Sequence, residues 1–523
     1  MAALVCGAVV VGIDPHYPDA LLDELVSTLG LTGLLVDDWK TFKRLSEATR
    51  RRLKLVVFLR DDAQARESGF STLTQWRAQT AGAPVWNSLA QPAGAALVAF
   101  SSGSTGKPKP LTYSHAQVVY ACRSILELYP ELSAGTRLVC WLPLANLFQR
   151  MINFCATAKG AVSYVVEDPR RVMEVVPIAK PEVFVAVPRF CEKLHAGMMQ
   201  TIAARPLTSR VVKAAIAVAS AAREGTALST PHAPLQRVAA VVADRLVLAR
   251  IRAVMGSNLK FIVSGSAPMP LWLLQRFVAL GLPVLEAYGT SENLVPIAAN
   301  RLKQQKAGTV GKPAGDNTVR IAADGEVHVR GQGVFLPGLA ENATRSDALT
   351  KDGYLATGDL GFFDDDGFLT LRGRRTESFK NAQGRWVSVT QIEAALARVV
   401  EVEYAAVLRT PRERLIGVLT LHPENAGNPI VRAMDAPAVE ARRGPALRQH
   451  LADVTATLAP EMCPIAFLVV CAGFSPMTGE LTTNFKLRHH AIQEKLAGPL
   501  ESLALESNAT AAHVPRDLIV RFV

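Results

Sequence analysis

Ten consecutive residues, Phe100-Ser-Ser-Gly-Ser-Thr-Gly-Lys-Pro-Lys109, gather small hydroxyl side chains, two glycines and two lysines directly after the apolar run Ala95 to Phe100. Such a composition suits a phosphate. Glycines let backbone amides turn around an anion, the hydroxyls of Ser102, Ser104 and Thr105 can donate to its oxygens, and Lys107 adds charge. The Walker spacing GxxxxGK[ST] is absent, since it would need glycine at Ser101 and a hydroxyl residue at Pro108. Another kind of nucleotide loop is expected. The competing reading is a plain Gly/Ser connection, and residues far along the chain decide between the two.

The elements that must position this loop read as an α/β fold. Short β-branched runs recur between alanine-rich helical stretches: Val9 to Ile13, Gly33 to Val36, Leu55 to Leu59, Ala95 to Phe100, Thr136 to Leu142, Val162 to Val166, Val183 to Val187, Leu259 to Val263 and Val284 to Glu286. That alternation favours largely parallel sheet. Residues 196–256 read as long helices with a link near Gly225 to Pro234. Ser114 is a candidate helix cap, which makes His115 a packing residue. From Gly308 onward, turns such as Ala323-Asp-Gly325 and Asp364-Asp-Asp-Gly367 separate alternating strands, which predicts antiparallel hairpins and a small β subdomain. The acidic triplet 364–366 is read as a hairpin turn rather than a calcium loop, because Phe362 stands where a ligand would be needed. A boundary near Gly373 divides a large region, 1–372, from a smaller, mobile α+β domain, 373–523.

Composition narrows the function. In 523 residues, 49% hydrophobic and 20% charged, there is material for a large core and more than one domain. No apolar run reaches the ~18–20 residues of a membrane span, and no basic segment precedes Leu4 to Val11 as a signal peptide would require. The cysteines, Cys6, Cys122, Cys140, Cys155, Cys191, Cys463 and Cys471, form no CxxC, so neither a zinc site nor a disulfide framework is expected and a cytoplasmic setting is. A net charge of +11 favours anionic partners such as nucleotides, coenzyme phosphates or, peripherally, an acidic membrane surface. Nucleic acid is not expected: the arginines are dispersed and aromatics are only 6%.

Further segments follow in order: Gly7-Ala-Val-Val-Val-Gly-Ile-Asp-Pro-His-Tyr-Pro18, Leu142-Pro-Leu-Ala-Asn-Leu-Phe-Gln-Arg150, Val187-Pro-Arg-Phe-Cys-Glu-Lys-Leu194, Val263-Ser-Gly-Ser-Ala-Pro268, Glu286-Ala-Tyr-Gly-Thr-Ser-Glu292, Thr357-Gly-Asp-Leu360, Gly373-Arg-Arg-Thr-Glu-Ser-Phe-Lys380, Gly384-Arg-Trp-Val387 and Leu481-Thr-Thr-Asn-Phe-Lys-Leu-Arg488. With the phosphate loop, the ordered set resembles the acyl-adenylate-forming superfamily along essentially the whole chain, most closely its long-chain fatty acyl-CoA synthetases. The resemblance implies ATP, Mg²⁺ and CoA as reactants. It assigns Ser102, Gly103, Ser104, Thr105, Gly106 and Lys107 to the β and γ phosphates, Ser291 to the α-phosphate, and Glu292 to Mg²⁺. Gly265, Ser266, Ala267, Pro268, Ala287 and Tyr288 would wall the adenine, with Gly289 and Thr290 continuing that site. Asp359 would take the ribose hydroxyls with Arg374 beside it, and Lys486 would reach the α-phosphate and the attacking carboxylate. The chemistry is coherent, because adenylation builds negative charge at phosphorus that cations and N–H donors must meet.

Four departures stand out. Asn146 replaces the family's usual histidine near the acyl carboxylate, and an amide cannot carry its charge. Pro110 replaces a glycine after the loop. Thr376, ahead of Gly384 on the expected CoA path, occupies the hinge position, where Asp or Lys is usual. The chain also starts within the pattern, which predicts either a misassigned start or a natural variant. The expectation is a ligase that makes acyl-AMP from a medium- or long-chain fatty acid and passes it to CoA. The alternatives are an adenylating enzyme for a nonfatty acid, or for an amine or carrier-protein thiol acceptor, and an inactive binding paralogue. Oligomeric state is not legible.

Overall fold

The computed structural model describes residues 2–15, 17–79, 90–102, 108–203, 248–335, 349–375, 378–380, 386–399, 401–410, 414–422, 436–475, 478–481, 487–508 and 519–523. The chain divides into two compact units, one of Met1–Arg320, His328–Thr357 and Phe363–Thr370, the other of Ile321–Val327, Gly358–Phe362 and Leu371–Val523.

The first unit holds most of the parallel strands: β1 (Val10–Val11), β2 (Gly33–Val36), β3 (Leu55–Phe58), β4 (Ser71–Thr72), β5 (Ala95–Ser102), β6 (Pro108–Ser114), β7 (Arg137–Cys140), β8 (Val162–Val165), β9 (Val183–Ala186), β10 (Phe261–Ser264), β11 (Val284–Tyr288), β12 (Ala298–Ala299) and β13 (Lys312–Pro313). A seven-stranded sheet runs β13-β12-β11-β10-β9-β7-β8. Its centre is parallel, with Phe184↔Ile262 and Ile262↔Val284 in register. The strands Val183–Ala186 and Phe261–Ser264 are buried at every position, as expected where both faces of a parallel sheet are covered and alternation gives way to continuous apolar sequence. The expected parallel sheet is thus present, with antiparallel additions at β12 and β13. β1 pairs parallel with β5, while β5 and β6 form an antiparallel hairpin, Ser101↔Lys109 among its pairs, flanking the hydroxyl-rich loop.

The exit of that hairpin is a well-made helix start. Ser114 accepts from the Gln117 N–H at 3.2 Å and the Gln117 side chain accepts from the Ser114 N–H at 3.0 Å, a reciprocal capping box at the head of the helix His115–Leu128. Gln117 also donates to the carbonyls of Gln332 and Val334, at 2.9 and 2.7 Å, which ties the helix to a distant loop. His115 is simply the first helical residue, as its neighbour's capping role implies. Cys122 on this helix and Cys155 on the helix Leu147–Lys159 are neighbours, the Cys155 Sγ lying 3.7 Å from the Cys122 carbonyl; all seven cysteines are unbridged.

The β region contains β14 (Thr318–Ile321), β15 (Glu326–Arg330), β16 (Leu355–Phe363) and β17 (Leu369–Arg374), paired in that order in a four-stranded sheet. The turn after β16 has the hairpin character expected of it: Asp364 accepts from the Asp366 and Phe368 N–H groups at 3.0 and 2.9 Å, and Lys306 neutralises Asp364 and Asp366 at 2.7 and 2.9 Å. In the second unit, β18 (Ser378–Lys380) pairs with β19 (Trp386–Ser388), and a mixed sheet runs β20 (Val402–Arg409), β21 (Leu415–Leu421), β22 (Ala466–Val470), β23 (Ile519–Phe522). Both faces of that sheet are packed: Ile392, Leu396, Leu447 and Phe467 on one, Ile416, Leu468, Ile492 and Leu503 on the other. Of the long helices expected over 196–256, the structure describes the end of Pro188–Ala203 and the short Ala249–Arg252; the link Gly225 to Pro234 lies outside the described residues. Among the described residues no helix is long and apolar enough to cross a membrane.

Candidate active site

Neighbouring parallel strands deliver two loops side by side. β10 and β11 run in register, Ser264 opposite Glu286, β11 continuing to Tyr288, and the chain leaves them as Gly265 to Pro268 and as Gly289 to Glu292. The carboxyl edge of a parallel sheet is where an α/β fold presents ligand-binding loops. Gly265 is there for space: a Cβ would stand 3.3 Å from the Ala287 carbonyl and 3.4 Å from the Phe148 ring. Ser266 adopts a left-handed φ of 75°, a conformation that costs of order 1–3 kcal/mol for a residue with a Cβ and persists only where surroundings hold it. The holds are visible. The Gly265 N–H donates to the Ala186 carbonyl at 3.3 Å, and the Met269 N–H donates to Glu286 Oε1 at 3.3 Å.

The second loop is held from the hairpin strand β6. The fully buried Tyr113 hydroxyl donates to the Ser291 carbonyl; burial, and then the negative charge of Glu292, push the phenol well above its ordinary range, so it stays a donor. Asn293 accepts from Val295 and donates to Asn317 at 3.3 and 3.1 Å, closing the turn. Tyr288 is buried at the end of β11, and Ala287 pairs with Ala299. Two hydroxyls at these strand ends, Ser264 Oγ and Thr290 Oγ1, are buried without a hydrogen-bond partner. Polar atoms in that condition are costly unless a ligand or water meets them. Among the described residues no cluster of three metal-binding side chains occurs. Glu292 is thus not part of a three-ligand protein cluster, and its carboxylate fits Mg²⁺, which takes one or two protein carboxylates and completes its shell with phosphate oxygens and water.

In the second unit, Asp359 on β16 is 7% exposed, and Arg374, at the end of β17, holds it through Nε at 3.0 Å from Oδ1. A parallel arrangement sits beside it: Glu326 takes Arg375 at 2.8 Å and the Gly358 N–H at 2.7 Å. Asp359 is thereby orientated before any ligand arrives, as an acceptor for vicinal hydroxyls would be.

Asn146 has a definite local task. Its Oδ1 accepts from the Phe148 N–H at 2.9 Å as the cap of Leu147–Lys159, which commits the amide oxygen to the helix end. Ser102 is the last residue of β5; Gly103, Ser104, Thr105, Gly106 and Lys107, and also Thr376, Gly384 and Lys486, lie outside the described residues. The sequence reading missed Tyr113, Arg150 and the side-chain role of Glu286. None carries a signal by type alone, since each owes its significance to what surrounds it.

Glu286 makes the point measurable. Burial lifts its carboxyl from 4.5 to about 7, the Met269 N–H opposing the shift. The folded protein then keeps a proton that the unfolded chain releases between those values, so stability falls as pH rises through that window. Glu286→Gln, neutral throughout, is expected to gain ~2 kcal/mol over the parent at about pH 8 and almost nothing at about pH 4, read from denaturation midpoints. An equal difference at both pH values would mean that Glu286 is not the buried proton carrier.

The profile of the family described as AMP-binding enzyme matches residues 1–337. The long-chain-fatty-acid–CoA ligase FadD15 of Mycobacterium tuberculosis is 31% identical over 420 residues, 78% of this chain and 69% of that protein. Long-chain-fatty-acid–CoA ligase 1 of Homo sapiens is 28% identical over 317 residues, 57% of this chain and 44% of that one. Among solved structures, the A-PCP didomain of a carboxylic acid reductase from Segniliparus rugosus in complex with AMP superposes with TM-score 0.73 at 17% identity, covering 97% of this chain and 70% of that one. The O-succinylbenzoate coenzyme A synthetase of Bacillus subtilis in complex with AMP gives TM-score 0.63 at 18% identity, with 94% and 84% covered. At such identities the structural likeness speaks for the fold, and it agrees with the α/β architecture described above.

Proposed function

The chain belongs to the AMP-binding enzyme family, and on that premise we propose that it is an acid–CoA ligase whose acid is a medium- or long-chain fatty acid, activated with ATP and Mg²⁺. The observation that carries the adenylating half is the pair of loops at the ends of β10 and β11, with their unpartnered buried hydroxyls at Ser264 and Thr290. The fatty acyl half is supported by relatives at about 30% identity that are named fatty-acid–CoA ligases.

The first step joins the acid's carboxylate oxygen to the α-phosphorus as pyrophosphate leaves. Bound at Glu292, Mg²⁺ supplies charge neutralisation at the phosphate oxygens. The residues Ser102 to Lys107 hold the β and γ phosphates, and Ser291 meets the α-phosphate. Gly265 to Pro268 with Ala287 and Tyr288 flank the adenine, Gly289 and Thr290 line the same loop, and Asp359, set by Arg374, accepts from the ribose hydroxyls. Lys486 brings a cation to the developing charge. In the second step the CoA thiolate attacks the acyl carbonyl and AMP departs, with Gly384 on the thiol's path and the hinge at Arg374 to Thr376. Selection of chain length follows from area: each buried methylene contributes about 0.8 kcal/mol, roughly a fourfold preference.

The capping role of Asn146 favours one second reading, an adenylating enzyme for a nonfatty acid or a different acceptor, because the amide that replaces the usual histidine is already engaged. Purified protein incubated with ATP, Mg²⁺ and a panel of acids, with and without CoA, separates the readings. Pyrophosphate release with fatty acids and CoA-dependent AMP formation are the expected results. Release only with nonfatty acids, or AMP formation indifferent to CoA, sends the function to the second reading, and no release at all defeats both.

A further inference from the structure

Arg150 is a cation where the fold disfavours one. It is 7% exposed and is the fourth residue of the helix Leu147–Lys159, next to the positive end of the helix dipole, a position that favours anions. Its Nε donates to the Leu144 carbonyl at 2.7 Å. Its Nη1 is buried with no partner, and among the described residues it has no ion pair. Burial alone lowers the guanidinium to about 10, and the preceding residue is the neutral Gln149. An unpaired buried charge costs several kcal/mol in general, so a fold that keeps one gains when an anion arrives.

The side chain also has a place made for it. A Cβ on Gly12 would lie 1.6 Å from Nη2 and 2.7 Å from Cζ of Arg150, so any side chain there would displace the guanidinium from its present position. Gly12 directly follows β1, which lies parallel to β5 with Val11 opposite Val98, and β5 runs on into the hydroxyl-rich loop. From the first turn of a helix, a long side chain points back toward the N-terminus, where Asn146 offers a committed amide and no charge.

We propose that Arg150 binds the substrate oxyanion at the start of this helix, either the carboxylate to be activated or a phosphate of the nucleotide. The assignment rests on the adenylation reading, and its test separates the two. Arg150→Gln is expected to weaken the acid's KM or the calorimetric Kd for ATP by about tenfold to a hundredfold, the range of a lost hydrogen bond to a charged group, and Arg150→Lys should recover part of it. Gly12→Ala keeps the charge but occupies its position, and should move the same constant in the same direction. A change confined to the acid assigns the carboxylate; a change in ATP binding assigns the phosphate. Folded Arg150→Gln and Gly12→Ala proteins with both constants within about twofold of the parent overturn the proposal. Where Arg150→Gln does not fold, Arg150→Lys and Gly12→Ala decide by the same readings. A parent that binds ATP yet activates no acid defeats the adenylation reading, and unchanged ATP binding in the variants then overturns the role of Arg150 as well.

Discussion

Lys486→Ala loses ATP-dependent acyl-AMP formation by about a hundred- to thousandfold, the ~3–4 kcal/mol typical of one preorganised donor removed from a charged transition state, yet converts supplied acyl-AMP and CoA to thioester at close to the parent rate. The asymmetry follows from the chemistry. Adenylation builds charge on a phosphorus that the lysine can neutralise, whereas thiolation releases AMP and needs no new cation at that phosphorus. Both half-reactions are read directly, one as pyrophosphate released and the other as thioester formed from synthetic acyl-AMP. Equal damage to both would place Lys486 in folding or in both steps, and a role confined to the first would have to go.

Glu292→Gln is expected to lower pyrophosphate release at moderate Mg²⁺ by about a hundredfold or more and to shift the Mg²⁺ titration upward. The substitution keeps shape and removes one charge. Because no cluster of three metal-binding side chains occurs among the described residues, the site has no protein cage to hold the metal without Glu292. The backbone carbonyl of Glu292, which accepts from the Phe335 N–H at 2.9 Å, is untouched, so the loop should keep its shape and AMP binding measured without metal should change little. An unaltered Mg²⁺ titration would remove the carboxylate from the metal's shell. Lost AMP binding would mean that the charge also holds the loop.

The strand pattern of this protein was legible because its physical cause is local. Fully buried parallel strands such as Val183–Ala186 must be apolar at every position, and hairpin turns such as 364–367 need their Asp and Gly types where the backbone bends. The Ser114 cap was legible for a related reason, since a hydroxyl residue three positions before a Gln carries the capping box by itself, and the phosphate loop, Asp359 and Glu292 were candidates by residue type and order alone. Other features had no local cause to read. Nothing near Asn146 in sequence says that its oxygen closes a helix end, since that depends on the φ and ψ at which the chain enters the helix. Glu286 is one more acid until Leu274, Val278 and Val284 line the pocket around it and raise its proton affinity. Arg150 is one more arginine until Gly12, 138 positions earlier in the chain, closes over its guanidinium. Order and type of residues determined the architecture and the candidate chemistry, because strands, turns and phosphate loops are short-range objects. Only the tertiary structure decided which charges are buried and unpaired, because desolvation is set by atoms brought together from distant parts of the chain.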